Sequence, residues 1–467
     1  MAWENELGDQ LFHEHQQHLA PTGLIQYYNL VVDHAQGAEV FDVAGKRYID
    51  LLGSAAAMNA GHSNPHVMQA MRKQIDQLVS YDAGYFPNPT TIKLVERLAA
   101  IAPGNAPKKV SLGTSGSDAN DGIIKFARAA TGRTYIVSFD GSYHGTTMGA
   151  ISAGGCDPNM VRKIGPLVPN IVHVPYPDMY RCLPNETEHE IAMRYFDSFM
   201  LPFTTYLPAE EVACVLIEPI QGDAGMIKPP AEFVELVYQF CHANGILFAV
   251  DEINQGLGRA GKMWSSEYYD IEADLISVGK SLASGMPLSA IIGKADLMDQ
   301  LGTSAHVFTT AGNPVCCAAA LATLDVIQHE HLPEKSAADG EYAKQQFLRL
   351  QAKYNFIGDV RMYGLNGGIE IVKDRLTKER DRDGAAKIIF RAFQKGLILV
   401  KLAGNVLRFQ PPLVITRVQL DEVFTILDSV FADFENGVIE LPHELKKYEL
   451  VKRAIKKIPV MGFFCHN

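Results

Sequence analysis

The run LISVGKSLASG, residues 275–285, ends an apolar strand pattern with Lys280 among small residues. An ammonium without a partner is expensive to bury. A lysine that forms a Schiff base escapes that cost and becomes an electrophile carrier. A second apolar run, FAVDE, ends on Asp251 and Glu252. An acid at that end of a strand either pairs with a buried cation or caps the following loop. A third stretch, SLGTSGSDANDGIIKFARAATG at 111–132, leads small residues into a helix pattern. Asp118 and Asp121 fall in its first turn, Arg128 in its last, and Gly132 is placed to stop it. Gly116 and Ser117 put backbone N–H groups and a hydroxyl at the helix N-terminus, an anion site suited to phosphate; taken alone, the pattern also fits an ordinary Ser-capped helix. A phosphate cradle, a strand-end acid and a strand-end lysine together point to pyridoxal 5′-phosphate. The phosphate anchors on the helix, the acid keeps the pyridine nitrogen protonated and the lysine holds the aldehyde. An aromatic should cover the ring, and GSYHG at 141–145 supplies Tyr143 and His144.

These residues need elements that bring them together. From about 110 to 315, short β-rich runs (YIVSF, ACVLIEPI, ILFAVDE, LISVGK, LSAIIG) alternate with amphipathic stretches such as AEFVELVYQFCHANG. Several runs are apolar throughout, as in strands covered on both faces, so the class is α/β with a mostly parallel central sheet. Ligands of such sheets bind outside the carboxyl ends of the strands. Toward the N-terminus, AEVFDVAGKRYIDLL reads as a hairpin with Gly45 in its turn. The C-terminal third mixes helices with short strands, GLILVKLAG and NVLRFQPPLVI. The expected organisation is a large cofactor-binding domain, 66–330, and a smaller α+β domain built from both ends, 1–65 and 331–467.

The chain has 467 residues, 47% of them hydrophobic, and a formal net charge of −11. That length suggests more than one domain, and the negative balance argues against nucleic acid as a partner. The seven cysteines are scattered, with Cys316 and Cys317 adjacent, as in reduced thiols of a cytoplasmic protein. MAWENELGDQ lacks the apolar core of a secretory signal, and no stretch approaches a membrane span. The basic segment at 446–457 reads as a solvated surface helix rather than a membrane contact. GLGRAG at 256–261 matches G-x-G-x-x-G, but DEINQ separates it from the strand and no helix opens at its third glycine, so a dinucleotide site is not expected. FHEHQQH at 12–18 lacks the second histidine of H-E-x-x-H, and QHEH at 328–331 fares no better; no metal is expected.

The ordered blocks YIDLLGSAAAMNAGHSNPHV, GTSGSDAN, GSYHG, EPIQGDAG, DEINQGLGRAGK, SVGKSLASGMPLSA, FTTAGNP and NVLRFQPPL resemble the class III aminotransferase family of fold-type I pyridoxal phosphate enzymes, over about residues 25–440. The resemblance implies roles where the motifs match. Lys280 is the Schiff-base lysine and Asp251 pairs with the pyridine nitrogen. Gly116 and Ser117 hold the phosphate and Tyr143 stacks on the ring. His144 and Glu218 are counted with the cofactor-binding residues. Thr309 crosses a dimer interface to the partner's phosphate, with Thr310 as its substitute, so a homodimer or dimer of dimers with shared sites is implied. Arg408 binds the substrate α-carboxylate, a role that suits its bidentate fork. Where the family has a glutamine that reaches the ring hydroxyl, this chain has Asn254 followed by Gln255, and which of them makes the contact is open.

Asp223 separates two reactions. Both start when Lys280 removes the α-proton of an amino acid. Transamination then delivers a proton on the same face, whereas inversion needs a second acid/base on the other face. Aminotransferases of the family carry at Asp223's place a glutamate that gates the substrate-binding arginine. The aspartate resembles instead that of a racemase branch, and runs such as GKSLASGMPLSA resemble a branch that inverts the α-carbon of aliphatic amino acids. The leading expectation is therefore a two-base racemase/epimerase of isoleucine, valine or leucine. The alternatives are an aminotransferase of 4-aminobutyrate or ornithine type, and an inactive binding protein that retains the cofactor.

Overall fold

The computed structural model describes residues 6–23, 25 and 27–442. After the helix Glu6–His18 come three strands, β1 (Val32–Gln36), β2 (Glu39–Asp42) and β3 (Arg47–Asp50), paired antiparallel with Gly45 in the turn at φ 82°. The central sheet follows: β4 (Lys108–Gly113), β5 (Tyr135–Phe139), β6 (Ile171–Val174), β7 (Val212–Ile217), β8 (Leu247–Asp251), β9 (Leu275–Val278) and β10 (Ser289–Lys294). Their spatial order is β4-β10-β9-β8-β7-β5-β6. β10 is antiparallel to both its neighbours and every other pair bonded in the sheet is parallel. The inner strands VACVLI, LISV and most of SAIIGK are buried on both faces, which is why they read as unbroken apolar runs instead of alternating ones.

That direction is what gathers the chemistry. β4 and β9 both run antiparallel to β10 and so parallel to each other. The carboxyl ends of β4, β5, β7, β8 and β9 therefore lie along one edge, and Gly116, Tyr143, Glu218, Asp251 and Lys280 stand at or just past them. The register is close: Ile217 pairs with Val250 and Asp251 with Ser277. The runs are shorter than the sequence pattern implies. β7 stops at Ile217 and β9 at Val278, so Glu218 and Lys280 begin the loops rather than end the strands.

The C-terminal part adds β11 (Ile357–Met362), β12 (Gly367–Asp374), β13 (Glu379–Arg380), β14 (Leu397–Ile398), β15 (Val400–Leu402) and β16 (Val406–Phe409). β14 joins the N-terminal meander, parallel to β3, while β15 pairs with β16 in the sheet β11-β12-β16-β15. GLILVKLAG is thus two strands in two sheets. The GLGRAG loop is a structural junction. Arg259 is fully buried, its Nη1 donating to the carbonyls of Leu365 and Pro411 and its Nη2 to Asn59 Oδ1 at 2.7 Å. The helix Glu6–His18 carries the FHEHQQH histidines and buries Phe12. Among the described residues no helix is long and apolar enough to cross a membrane. The basic segment at 446–457 and Cys465 lie outside the described residues.

Candidate functional site

A cavity of ≈160 Å³ opens at the gathered strand ends, lined by Gly116, Ser117, Tyr143, His144, Gly145, Glu218, Asp223, Asp251, Ile253, Asn254 and Lys280. The helix Gly116–Thr131 starts there. Ser115 caps it, its hydroxyl accepting from Asp118 N, and Gly132 ends it at φ 69°. The cap takes the third N–H and leaves those of Gly116 and Ser117 without an intrahelical acceptor. Small residues are needed at this point. A Cβ on Gly116 would lie 2.8 Å from Ile253 Cδ1, and one on Gly145, at φ 128°, would collide with Ser117.

Asp251 is buried and held by three groups. Its Oδ2 accepts from Asn120 Nδ2 at 2.7 Å and lies 2.8 Å from His144 Nδ1, and its Oδ1 accepts from Ile253 N at 3.0 Å. Asn120 is itself fixed, donating to His144 O and accepting from Ser277 Oγ at 2.8 Å. The other ring nitrogen of His144, Nε2, is buried and, among the described residues, has no hydrogen-bond partner. Glu218 binds backbone with both oxygens, Oε1 accepting from Tyr143 N and Oε2 from Gly222 N, each at 2.9 Å. Burial pushes its carboxyl up, His144 draws it down and Asp251 raises it again.

Lys280 is held at φ 45°, a left-handed conformation that costs a non-glycine residue about 1–3 kcal/mol and persists only where the surroundings fix it. Burial, and then the Arg408 guanidinium, hold its amine below the usual lysine value against the opposite pull of Asp223, Asp251 and Glu218. One end of the Asn254 amide lies 3.2 Å from both Lys280 Nζ and Arg408 Nη2. Facing two donors, that end is the oxygen. Arg408 is buried on β16, its Nε donating to Gln410 Oε1. It does not line the cavity and stands behind Asn254. Among the described residues neither Lys280, Arg408 nor Asp223 forms an ion pair, and the half-buried Asp223 carboxylate makes no hydrogen bond.

Among the described residues the cavity therefore holds a half-buried amine with no ion-pair partner, an imidazole nitrogen without a hydrogen bond and a bare helix N-terminus. That donor set fits pyridoxal phosphate: N–H groups for the phosphate, a secured carboxylate for the ring nitrogen and an amine for the aldehyde.

Of the residues singled out from sequence, Gly116, Ser117, Tyr143, His144, Glu218, Asp223, Asp251, Asn254 and Lys280 meet at this cavity. Gln255 does not line it; its Oε1 accepts from Asn366 Nδ2 at 2.6 Å. Thr309 and Thr310 lie on an exposed turn and do not line it either. Asn120 and Ile253 had no role assigned from sequence, although Asn120 lies inside the GTSGSDAN block.

A family model described as aminotransferase class-III matches residues 24–431. An isoleucine 2-epimerase of Lentilactobacillus buchneri is 59% identical, over 94% of this chain and 97% of its own. A leucine/methionine racemase of Thermococcus litoralis is 41% identical, over 88% and 93%. The solved omega transaminase from Pseudomonas jessenii in complex with PMP superposes with a TM-score of 0.86 at 27% identity, covering 92% of this chain and 99% of that one.

Proposed function

Because the chain belongs to the class III aminotransferase family and is a pyridoxal phosphate enzyme of fold type I, we propose that it inverts the α-carbon of hydrophobic aliphatic amino acids such as isoleucine, valine and leucine, with Lys280 and Asp223 as its two bases. The observation that carries this reading is the state of Asp223. Its carboxylate shares a cavity with Lys280 and, among the described residues, is bonded to nothing. A gate would be spent on Arg408. The names of the racemase and epimerase relatives support the same reading.

When bound, pyridoxal phosphate supplies an electron sink for the pair left at the α-carbon as its proton departs. Gly116 and Ser117 would hold the phosphate and Asp251 would keep the ring nitrogen charged, while Asn120 and His144 orient Asp251. Tyr143 would cover the ring, and Asn254, which lines the cavity where Gln255 does not, would contact it. Arg408 takes the substrate carboxylate. Lys280 Nζ accepts the α-proton on one face, which its depressed basicity allows. The Asp223 carboxyl returns a proton to the opposite face, and the two exchange roles for the other epimer. In this reading Thr309, beside Thr310, serves the phosphate of a second subunit in a homodimer.

The test uses holoenzyme and L-isoleucine in deuterium oxide without a 2-oxo acid. D-allo-isoleucine carrying α-deuterium is the expected product. Asp223→Asn should slow inversion roughly 10²–10⁴-fold and leave exchange with retained configuration, the Lys280 half of the reaction. Undiminished inversion in Asp223→Asn overturns the two-base reading. The family membership favours a second reading, an aminotransferase of 4-aminobutyrate or ornithine type. Stoichiometric keto acid with a 2-oxo acid acceptor, and no D-allo product, would establish it instead.

A further inference from the structure

Asp223 has no side-chain bond of its own among the described residues, so its position is set by the loop that carries it. That loop is short and closed. Gln221 and Ile227 exchange backbone bonds at 2.8 and 3.0 Å, and Gly225 N and Met226 N both donate to Gly222 O. It is gripped from two sides. From the central sheet, Glu218 accepts from Gly222 N. From the C-terminal sheet, Arg361 on β11 donates its Nε to Gly225 O at 2.9 Å.

Arg361 is itself fixed. Its Nη1 meets Asp359 Oδ2 at 2.7 Å and its Nη2 meets Glu370 Oε2 at 2.8 Å, and the side chain is mostly buried. Glu370 in turn accepts from Asn405 Nδ2 at 2.9 Å and from Arg181 Nη2. The guanidinium therefore has one orientation, with every arm occupied. The approach of β12 to the loop is equally tight. A Cβ on Gly368 would sit 2.5 Å from Gly225 O, and Gly225 itself is at φ 121°. Arg361 does not line the cavity and touches none of its reactive groups.

We propose that Arg361 is a positioning residue for the second base: through Gly225 O it fixes where Asp223 stands, and so governs inversion without governing proton removal by Lys280. The inference rests on the two-base reading above. Lysine at 361 keeps the charge beside Glu370 but cannot supply the three-armed fork that reaches Gly225, Asp359 and Glu370 together.

The experiment is a double-mutant cycle on holoenzyme with Arg361→Lys, Asp223→Asn and the pair. Each is measured for inversion, for α-deuterium exchange with retention, and for the visible absorbance of the bound cofactor. Arg361→Lys should lower inversion roughly 10²-fold, the loss expected from moving a catalytic group by about 1 Å. Retained exchange and cofactor absorbance should stay near wild type. In the Asp223→Asn background the same substitution should cost inversion nothing more, because the group it positions is already disabled. Multiplying losses in the pair, or inversion and exchange falling together, would overturn the positioning role. If Arg361→Lys does not fold, Asp359→Asn, which frees one arm of the fork, should show a smaller loss with the same non-additivity, and an additive loss there would overturn the role equally. The two readings fail separately. Unchanged inversion in Asp223→Asn removes the two-base mechanism, whereas a slow Asp223→Asn beside a wild-type-like Arg361→Lys removes only the role of Arg361.

Discussion

Glu218→Gln tests the other grip on the same loop. Glu218 is buried, and its two oxygens accept from Tyr143 N and Gly222 N, each at 2.9 Å. Glutamine has nearly the same shape but replaces one acceptor with an NH2 group, so a donor would face a backbone N–H. The substitution removes a hydrogen bond to a charged acceptor, about 1.5–3 kcal/mol, and leaves buried donors unmet, about 1–3 kcal/mol. Relief from burying a charge offsets part of this, since burial already pushes the Glu218 carboxyl upward. A net loss of about 2–4 kcal/mol follows. The effect should also reach function, because Tyr143 and Asp223 ride on the two loops that Glu218 ties together. Denaturant unfolding of the holoenzyme, titration of cofactor into the apoprotein and chiral chromatography of isoleucine measure the three consequences. Stability should fall by that amount, cofactor affinity should weaken, and inversion should drop roughly 10²-fold as the loops shift by about 1 Å. Wild-type values in all three would mean that the two N–H bonds do not hold the loops, and the account of the site would be wrong at its base.

Two further outcomes concern charge. Burial and then Arg408 depress the Lys280 amine, so capture of pyridoxal phosphate by the apoprotein should rise with pH around a midpoint below the ordinary 10.5. Arg408→Gln should move that midpoint upward, as followed by absorbance, and an unmoved midpoint would refute the coupling. Burial pushes Glu370 up, but Arg361, Asn405 and Arg181 outweigh it and hold the carboxyl at about 2 instead of 4.5. A depressed carboxylate contributes its stability above the unfolded value and loses it as pH falls from about 4.5 through 2. The contribution is about 3 kcal/mol at neutral pH. Glu370→Gln should remove that much stability at neutral pH and flatten the loss on acidification; parallel unfolding profiles of variant and wild type would refute it.

Much of the site was legible because it depends on strand direction, and strand direction shows as pattern. Unbroken apolar runs alternating with amphipathic ones imply a parallel sheet, and a parallel sheet puts Asp251, Lys280 and the loop of Asp223 on one edge. The start and stop of the helix Gly116–Thr131 followed from Ser, Asp, Arg and Gly at fixed offsets. What sequence pattern does not carry are single bonds between distant residues. Asn120 reaches Asp251 across 131 positions and Arg361 reaches Gly225 across 136, and no local period records them. GLILVKLAG departs from its single-strand pattern for a related reason. Its apolar run is continuous, but Leu397–Ile398 completes one sheet and Val400–Leu402 belongs to another, and hydrophobicity does not say which partner a strand chooses.

In the proposed reaction, the choice between inversion and transamination turns on what neutralises Arg408 and the Lys280 amine. Lys280 and Arg408 lie close enough for the guanidinium to depress the amine, with Asn254's carbonyl 3.2 Å from both. A buried guanidinium beside an amine invites an anion. A gating carboxylate would supply one by closing on Arg408, and each substrate would first have to displace it. Asp223 acts on both cations through space, raising each, yet among the described residues it bonds to neither. In the proposed two-base reaction Arg408 is then left to a substrate carboxylate and Asp223 to a proton. The two tasks conflict if one group closes on the other, and they coexist when a short aspartate is held back by its loop. On this argument the clamps on Gly222 and Gly225 do more than stabilise a turn. In the two-base reading they hold Asp223 apart from Arg408, so loosening either clamp should shift the balance from inversion toward exchange with retention.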